Sequence, residues 1–110
     1  MNLHRIDLVS LSLFGLIART GSISQGAELA MLAVGAASKR VADLEAAFGV
    51  VLLERHSRGV KLTPAGEALY DHVQRILADV DQMSADLSDH ARGLLGVVRL
   101  WANTSAVTQF

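Results

Sequence analysis

Three basic side chains lie close together near the middle of the chain, at Arg55, Arg58 and Lys61. Guanidinium and ammonium groups bind phosphate oxygens, and such contacts fix the register of a bound nucleic acid without reading its sequence. A single surface cation is most often a solvated charge. Three of them within seven residues, around a polar turn, indicate contact with a nucleic-acid backbone or with the minor groove beside it.

A second group of candidate residues lies upstream, in two segments with helical patterns. Serine hydroxyls at the start of the first helix can cap its free N–H groups while those groups point at a phosphate, although each serine alone is equally well explained as a cap. In the second helix Lys39 is the strongest candidate for a base or phosphate contact, and Arg40 beside it faces either the bases or the backbone. The upstream candidates are Ser22, Ser24, Val34, Gly35, Ser38, Lys39 and Arg40.

The sequence predicts no catalytic residue and no metal ligand. The four histidines are scattered, and His72 and His90 share a helix face but lie about five turns apart, too far to hold one metal ion. There is no cysteine, no metalloprotease motif, no nucleophile elbow and no phosphate loop with its lysine. The residues therefore favour a binding protein over an enzyme, and no cofactor is expected in this chain.

The candidate residues lie on a predicted helix-turn-helix and a wing. Residues 24–32 and 34–48 have helical patterns with almost nothing between them, so the motif spans about 23–42. Gly49 ends the second helix, and two short apolar runs around the polar turn predict a two-stranded wing over about 50–62. The inward face of the second helix is predicted to consist of Ala37, Val41, Leu44 and Phe48.

An earlier helix is predicted to brace this motif. It runs from its N-cap, Asp7, to about Thr20, and Gly21 ends it. Its buried stripe is predicted to consist of Leu8, Leu11, Phe14 and Ile17. Leu13 and Leu16 lie outside this stripe and either deepen the core or contact another subunit.

A long helix is predicted to start at Thr63-Pro64, because threonine caps well and proline suits the first helical position. Apolar residues then alternate in steps of four and three, which is the pattern of a helix-pairing seam. The sequence predicts a homodimer through this seam, with the alternative that the stripe packs on the first helix of its own chain. The seam residues are Leu69, Val73, Ile76, Val80, Met83 and Leu87.

The composition fits one small domain with an uneven charge. The 110 residues are 51% hydrophobic, and the formal net charge is -1. Residues 1–64 carry seven basic and five acidic residues, whereas the remainder carries three basic and six acidic ones. This distribution suits a phosphate-binding front half. The lack of cysteine fits the cytoplasm, and no run of residues is apolar enough to span a membrane.

The end of the chain is predicted to differ from the long helix. Arg92-Gly93 is expected to break that helix, and residues 96–103 have the β-branched and aromatic character of a strand. A single terminal strand has no partner in this chain. We therefore expect the chain to be the front of a longer protein.

The ordered motifs of the chain resemble the N-terminal part of LysR-type transcriptional regulators. The matching pieces are Gly21-Ser22-Ile23, Ala36 to Val41, Leu44 to Gly49, Leu52 to Arg55 and, most specific, Leu62-Thr63-Pro64-Ala65-Gly66-Glu67. Residues 96–102 also look like the first strand of the family's effector-binding domain.

The resemblance implies a mainly α fold with three parts. These are a winged helix-turn-helix over 1–63, a dimerising linker helix over 64–92, and the start of a truncated effector-binding domain over 93–110. It implies sequence-specific binding of double-stranded DNA, by a dimer or a tetramer, at a dyad-symmetric operator. A small-molecule effector would bind a C-terminal domain that this chain lacks.

The chain departs from the family pattern where the recognition helix begins. It has Ala33-Val34-Gly35 where Ser-Gln-Pro is frequent, so a polar side chain near the bases is replaced by one that offers only apolar contact, for example to a thymine methyl group. Two alternatives remain: an interaction module that dimerises but has lost DNA binding, and a winged-helix repressor of another family without an effector domain.

Overall fold

The fold is mainly α, as predicted, with a winged helix-turn-helix followed by a long helix. The computed structural model describes the backbone of residues 3–103 and the side chains of residues 4–93. Its contacts divide the chain into two compact units, Met1–Arg75 and Ile76–Phe110. In chain order the elements are a 3-10 helix Leu3–Arg5, α1 Leu8–Thr20, α2 Ile23–Leu29, α3 Val34–Phe48, β1 Leu53–His56, β2 Gly59–Leu62 and α4 Pro64–Asn103.

The predicted caps of α1 and α3 are confirmed. The Asp7 carboxylate accepts a hydrogen bond from the Ser10 N–H at 2.8 Å, which satisfies one of the free donors of the first turn of α1. Gly21 ends α1 and Gly49 ends α3, both in the left-handed conformation. These caps fix both ends of α1 and the end of α3.

The core of the first unit lies between α1, α2 and α3. Leu13, Phe14 and Ile17 of α1 are fully buried. Leu13 thus deepens the core, whereas Leu8, predicted to be buried, is 49% exposed. The buried face of α1 is therefore rotated towards Leu13. Burial of large apolar side chains is the main source of stability in such a small unit.

The inward face of α3 is confirmed except at its end. Ala37, Val41 and Leu44 are buried, whereas Phe48 in the last turn is 38% exposed. The helix leaves the core at that point because Gly49 turns the chain towards the wing.

The wing is an antiparallel hairpin that is attached to the helices by hydrogen bonds. Strands β1 and β2 pair from Leu53 with Leu62 to His56 with Gly59, and two residues form the turn. The Val60 N–H donates to the carbonyl of Gly21 at 3.0 Å, so β2 is attached to the end of α1. At the start of β1, the Glu45 carboxylate accepts from the N–H of Leu52 at 2.7 Å. The position of the wing relative to the helices is thus set by specific contacts.

Helix α4 starts at Pro64 as predicted, but it does not end at Gly93. The Thr63 hydroxyl accepts from the Gly66 N–H at 3.0 Å and donates to the carbonyl of Val51 at 2.6 Å, so it is both a cap and a tie to the wing. The helix then continues to Asn103, so the predicted strand over 96–103 is wrong. A lone strand would leave its backbone unpaired, whereas an existing helix gains one internal hydrogen bond per added residue, which offsets the cost of a glycine. Among the described residues, no helix is long and apolar enough to cross a membrane.

The assignment of residues 93–110 to the start of an effector-binding domain stays a prediction. Residues 104–110 lie outside the described part of the chain.

The apolar stripe of α4 divides into two parts. Val73 is fully buried in the first unit, where its side chain lies against Gly15 of α1. At Val73 the stripe therefore packs on the first helix of its own chain, which was the alternative prediction. The buried Val73 is inaccessible to a partner. In the second unit, Ile76 is 37%, Met83 53% and Leu87 62% exposed. These later residues, with the half-buried Val80, keep an open apolar face.

Candidate nucleic-acid interface

An open groove of about 340 Å³ separates the helix-turn-helix from the wing. Candidate residues that lie up to 33 positions apart in the chain meet here. Ser22, Ser24, Val34 and Ser38 line the helical side, and Arg55 lines the wing side. The groove also contains Ile23, His56, Ser57, Gly59 and Val60.

The side chains of α3 point in three directions. Successive helical residues are rotated by about 100°, so Val34 and Ser38, four positions apart, lie on nearly the same side. Both line the groove. Gly35 and Lys39 form the outer, exposed ridge of the helix. Arg40 lies about 200° from Ser38 and therefore on the opposite edge of α3.

The start of α2 supplies two hydroxyl groups. Ser22 is the N-cap of this helix, and its hydroxyl accepts from the Gln25 N–H at 3.1 Å. Ser22 therefore acts as a helix cap. Ser24 is exposed in the first turn of α2. Both serines border the groove, and a hydroxyl there can donate a hydrogen bond to a phosphate oxygen without disturbing the helix.

Among the described residues, Lys39 is held by a single surface ion pair. Its ammonium lies 3.2 Å from the Asp43 carboxylate one turn later, and its side chain is 76% exposed. Such a pair contributes little, roughly 0.5 kcal/mol or less, because both groups remain in water. A phosphate or a base edge can therefore replace Asp43 at small cost.

Arg40 is bound to another helix and does not line the groove. Its Nη1 lies 3.2 Å from Oδ1 of Asp7 and 3.0 Å from Oγ of Ser10, both on the α1 side. The backbone N–H of Ser10, together with its hydroxyl and the Arg40 guanidinium, lowers the pKa of Asp7 despite partial desolvation. The structure thus places Arg40 beside Lys39, in a second hollow next to α1, and not among the candidates that line the groove.

The three basic residues of the wing take different positions. Arg55 faces the groove, and Arg58 lies in the two-residue turn. Lys61 is paired in register with Glu54, on the face opposite the buried Val60. In the described part of the chain, none of the three forms an ion pair. Their charges are therefore open to solvent or to a polyanion.

Two polar residues of the wing that line the groove were absent from the predicted site. His56 uses Nδ1 to accept the Arg58 N–H at 3.2 Å, which shapes the turn, and Ser57 lies beside it. Their place between Arg55 and Arg58, in a turn expected to meet a backbone, is the sequence signal that could have identified them. Whether any of these residues contacts DNA stays a prediction.

Comparison with known proteins identifies the family of the chain. Residues 8–67 match the model of the family described as bacterial regulatory helix-turn-helix protein, lysR family. The transcriptional regulator DmlR of Escherichia coli strain K12 is 41% identical over 93 residues, which cover 84% of this chain and 30% of DmlR. The nitrogen assimilation regulatory protein nac of Klebsiella aerogenes is 37% identical over 100 residues, which cover 91% of this chain and 31% of that protein.

Solved structures agree with this placement. A crystal structure of a BenM_DBD/catB site 1 DNA complex has a TM-score of 0.75 and 32% identity, and the match covers 78% of this chain and 96% of the BenM chain. A CbnR_DBD–DNA complex has a TM-score of 0.70 and 33% identity, with coverage of 79% and 99%. The chain spans about a third of the length of DmlR and nac. Because the family model covers more than half of its residues, the chain belongs to the bacterial regulatory helix-turn-helix proteins of the lysR family.

Proposed function

We propose that this chain is the DNA-binding part of a transcriptional regulator. The observation that carries the proposal is the groove between the α2–α3 pair and the wing, where hydroxyls and Arg55 converge beside the exposed ridge of α3. A helix with one open ridge fits the major groove of B-DNA, and a basic hairpin beside it fits the flanking backbone. The similar BenM and CbnR domains were solved in complexes with DNA.

The proposed contacts fall into two classes. Gly35, Ser38 and Lys39 would meet base edges, with Val34 beside them for an apolar contact. The second class would meet phosphates and set register, and its members are Ser22, Ser24, Arg55, Arg58 and Lys61. In this arrangement the wing supplies most of the affinity, and α3 supplies the sequence preference.

We also propose that the chain acts as a homodimer through the open part of α4. From residue 81 to 92 every side chain is exposed, so no described part of the chain packs against this segment. Most helices depend on burial of an apolar face, and Ile76, Val80, Met83 and Leu87 form such a face. A second copy of the chain supplies the same face, and two-fold symmetry then matches a dyad-symmetric operator.

The remaining parts of the proposal concern the longer protein. Its activity is regulation, not catalysis, in keeping with relatives named as transcriptional regulators. A small-molecule effector would bind a separate C-terminal domain and not this chain. Since its target is chromosomal DNA, the protein would work in the bacterial cytoplasm, as dimers or as tetramers built from them.

The DNA-binding proposal is tested by equilibrium binding to duplex DNA across a salt series. If a dimer makes about six to ten phosphate contacts, its affinity falls by roughly three to five powers of ten between about 50 and 200 mM salt. Arg58→Ala should flatten this slope, and Lys39→Ala should reduce the preference between sequences. Arg75→Ala is the matched control, because it removes an equal charge from a residue of α4 that does not line the groove. A wild-type chain without salt-dependent binding would refute the proposal.

The dimer proposal is tested by sedimentation equilibrium. Leu87→Glu places a charge on the open apolar face and should shift the chain to monomers. Ala85→Glu is the matched control, since residue 85 lies about 160° around the helix from Leu87 and is also exposed. Equal effects of the two substitutions, or none from Leu87→Glu, would exclude this face as the interface.

A further inference from the structure

Arg40 is the one predicted DNA-contacting side chain that bridges two helices among the described residues. Its Nη1 lies within 3.2 Å and 3.3 Å of the two carboxylate oxygens of Asp7 and within 3.0 Å of the Ser10 hydroxyl. Ser10 is only 3% exposed, and Arg40 is thus a partner for a buried hydroxyl. The three bonds join α3 to the first turn of α1.

The Asp7 carboxylate serves both helices at once. Its Oδ1 accepts the Ser10 N–H at 2.8 Å and so caps α1, while it also accepts from Arg40 of α3. All three bonds of Arg40 come from Nη1, and because they reach two groups in fixed positions on α1, they hold the end of the Arg40 side chain at one place. The rotation of α3 about its own axis is therefore coupled to the start of α1.

We propose that Arg40 is a positioning residue: it sets which side of α3 faces the bases, and it does not neutralise a phosphate. This inference rests on the proposed DNA-binding function. According to this inference Arg40 is not one of the DNA-contacting residues, and Asp7 and Ser10 affect DNA binding through Arg40. The competing account is that Arg40 releases Asp7 on binding and moves to a phosphate.

Asp7→Asn separates the two accounts because they predict effects of opposite sign. Asparagine caps helices as well as aspartate does, so α1 keeps its cap. The substitution removes the negative charge that binds Arg40 and leaves it only neutral acceptors, the amide oxygen and the Ser10 hydroxyl. If Arg40 acts as a phosphate ligand, binding becomes tighter, because the ion pair with Asp7 no longer has to be broken, and the salt slope stays the same. If Arg40 acts as a positioning residue, sequence-specific binding becomes weaker.

The experiment uses the whole 110-residue chain with two duplexes. One duplex is selected by the wild-type chain from a random-sequence library, and the other is a mixed, G·C-rich sequence. Affinities are measured across a salt series for the wild type, Arg40→Met, Asp7→Asn and the double variant. Arg58→Met is the control for a lost phosphate contact. Thermal unfolding is recorded for each, so that binding is compared well below every midpoint.

We expect Arg40→Met and Asp7→Asn each to weaken binding to the selected duplex by about two- to fivefold per protomer, which is the coupling of a partly exposed ion pair. The double variant should bind no more weakly than the weaker single one. Affinity for the mixed duplex and the salt slope should not change, whereas Arg58→Met should lower the slope by about 0.9 per protomer.

Three results would overturn the inference. The first is tighter or unchanged binding of the selected duplex by Asp7→Asn. The second is a salt slope that Arg40→Met lowers as much as Arg58→Met does. The third is a lower thermal midpoint of Arg40→Met or Asp7→Asn with an unchanged ratio between the affinities for the selected and the mixed duplex. A purely structural bridge would behave in this way. If the wild type itself selects no duplex, the proposed function fails as well, and that outcome is distinct from the other three.

Discussion

Gly59 is where the wing meets the end of α1, and its replacement by alanine is a strong test of how the wing is attached. Its φ of +138° is one that side-chain-bearing residues rarely adopt. A Cβ added there would clash with the carbonyl oxygen of Gly21. That oxygen accepts the Val60 N–H at 3.0 Å, so the methyl group would push apart the two groups that hold β2 against the helices.

The expected cost has two sources. A strained backbone conformation costs about 1–3 kcal/mol, and loss of one intramolecular hydrogen bond costs about 1 kcal/mol. We expect Gly59→Ala to lower the free energy of unfolding by roughly 2–4 kcal/mol, a large part of the 5–15 kcal/mol typical of a whole domain. For a unit of this size, each kcal/mol corresponds to about 4–8 °C, so the midpoint should fall by at least about 8 °C.

Gly49→Ala is the matched control. Gly49 also has a positive φ, of +70°, but an added Cβ there would meet nothing within 4 Å. It should therefore show the conformational cost alone, about 1–2 kcal/mol. Urea unfolding gives both free energies, and hydrogen exchange at the Val60 amide gives the local effect. Hydrogen exchange at the Val60 amide should accelerate in Gly59→Ala by more than the loss of global stability explains. A loss in Gly59→Ala no larger than in Gly49→Ala would refute the reasoning.

Three further substitutions test separate features. Gly35→Ala should raise the free energy of unfolding by about 0.5 kcal/mol, because Gly35 lies in a helix with open space around it. The same substitution should weaken DNA binding if the α3 backbone approaches the bases. Glu45→Ala should cost about 1–3 kcal/mol in urea unfolding, because it leaves the buried Leu52 N–H without its 2.7 Å acceptor, whereas the exposed Glu28→Ala should cost little. The lowered pKa of Asp7 means that its stabilising effect is present above its ordinary value of 3.8 and is lost as pH falls through the folded value. Thermal midpoints between about pH 6 and pH 2 should therefore fall less in Asp7→Asn than in the wild type.

Local signals in the sequence were sufficient for most of the fold. The ends of α1 and α3 follow from a capping aspartate and two glycines, and the start of α4 follows from Thr63-Pro64. Each of these depends on bonds within a few residues, which a sequence displays directly. Five of the residues that line the groove were also among the predicted candidates, because α2, α3 and the wing are consecutive and each carries polar groups at its exposed positions.

What the sequence could not supply were partners that are distant in the chain. Arg40 and Asp7 are 33 residues apart, and nothing in the sequence pairs them. Val73 fits the heptad seam as well as Leu87 does, and only the three-dimensional structure shows that it lies against Gly15. The continuation of α4 to Asn103 was missed because β-branched residues favour a strand only where another strand pairs with them.

The composition of the α3 surface bears on how a protein of this kind would read DNA. Its exposed residues include Val34, Gly35, Ala36 and Ala42, which carry no side-chain hydrogen-bonding group. Small side chains let a helix approach base edges closely, but they leave few donors to distinguish one base pair from another. If α3 lies in the major groove as proposed, its discrimination falls largely on Ser38, Lys39 and apolar contact with thymine methyl groups. The phosphate contacts of the wing then matter for specificity too, because they decide how closely and at what angle α3 meets the bases.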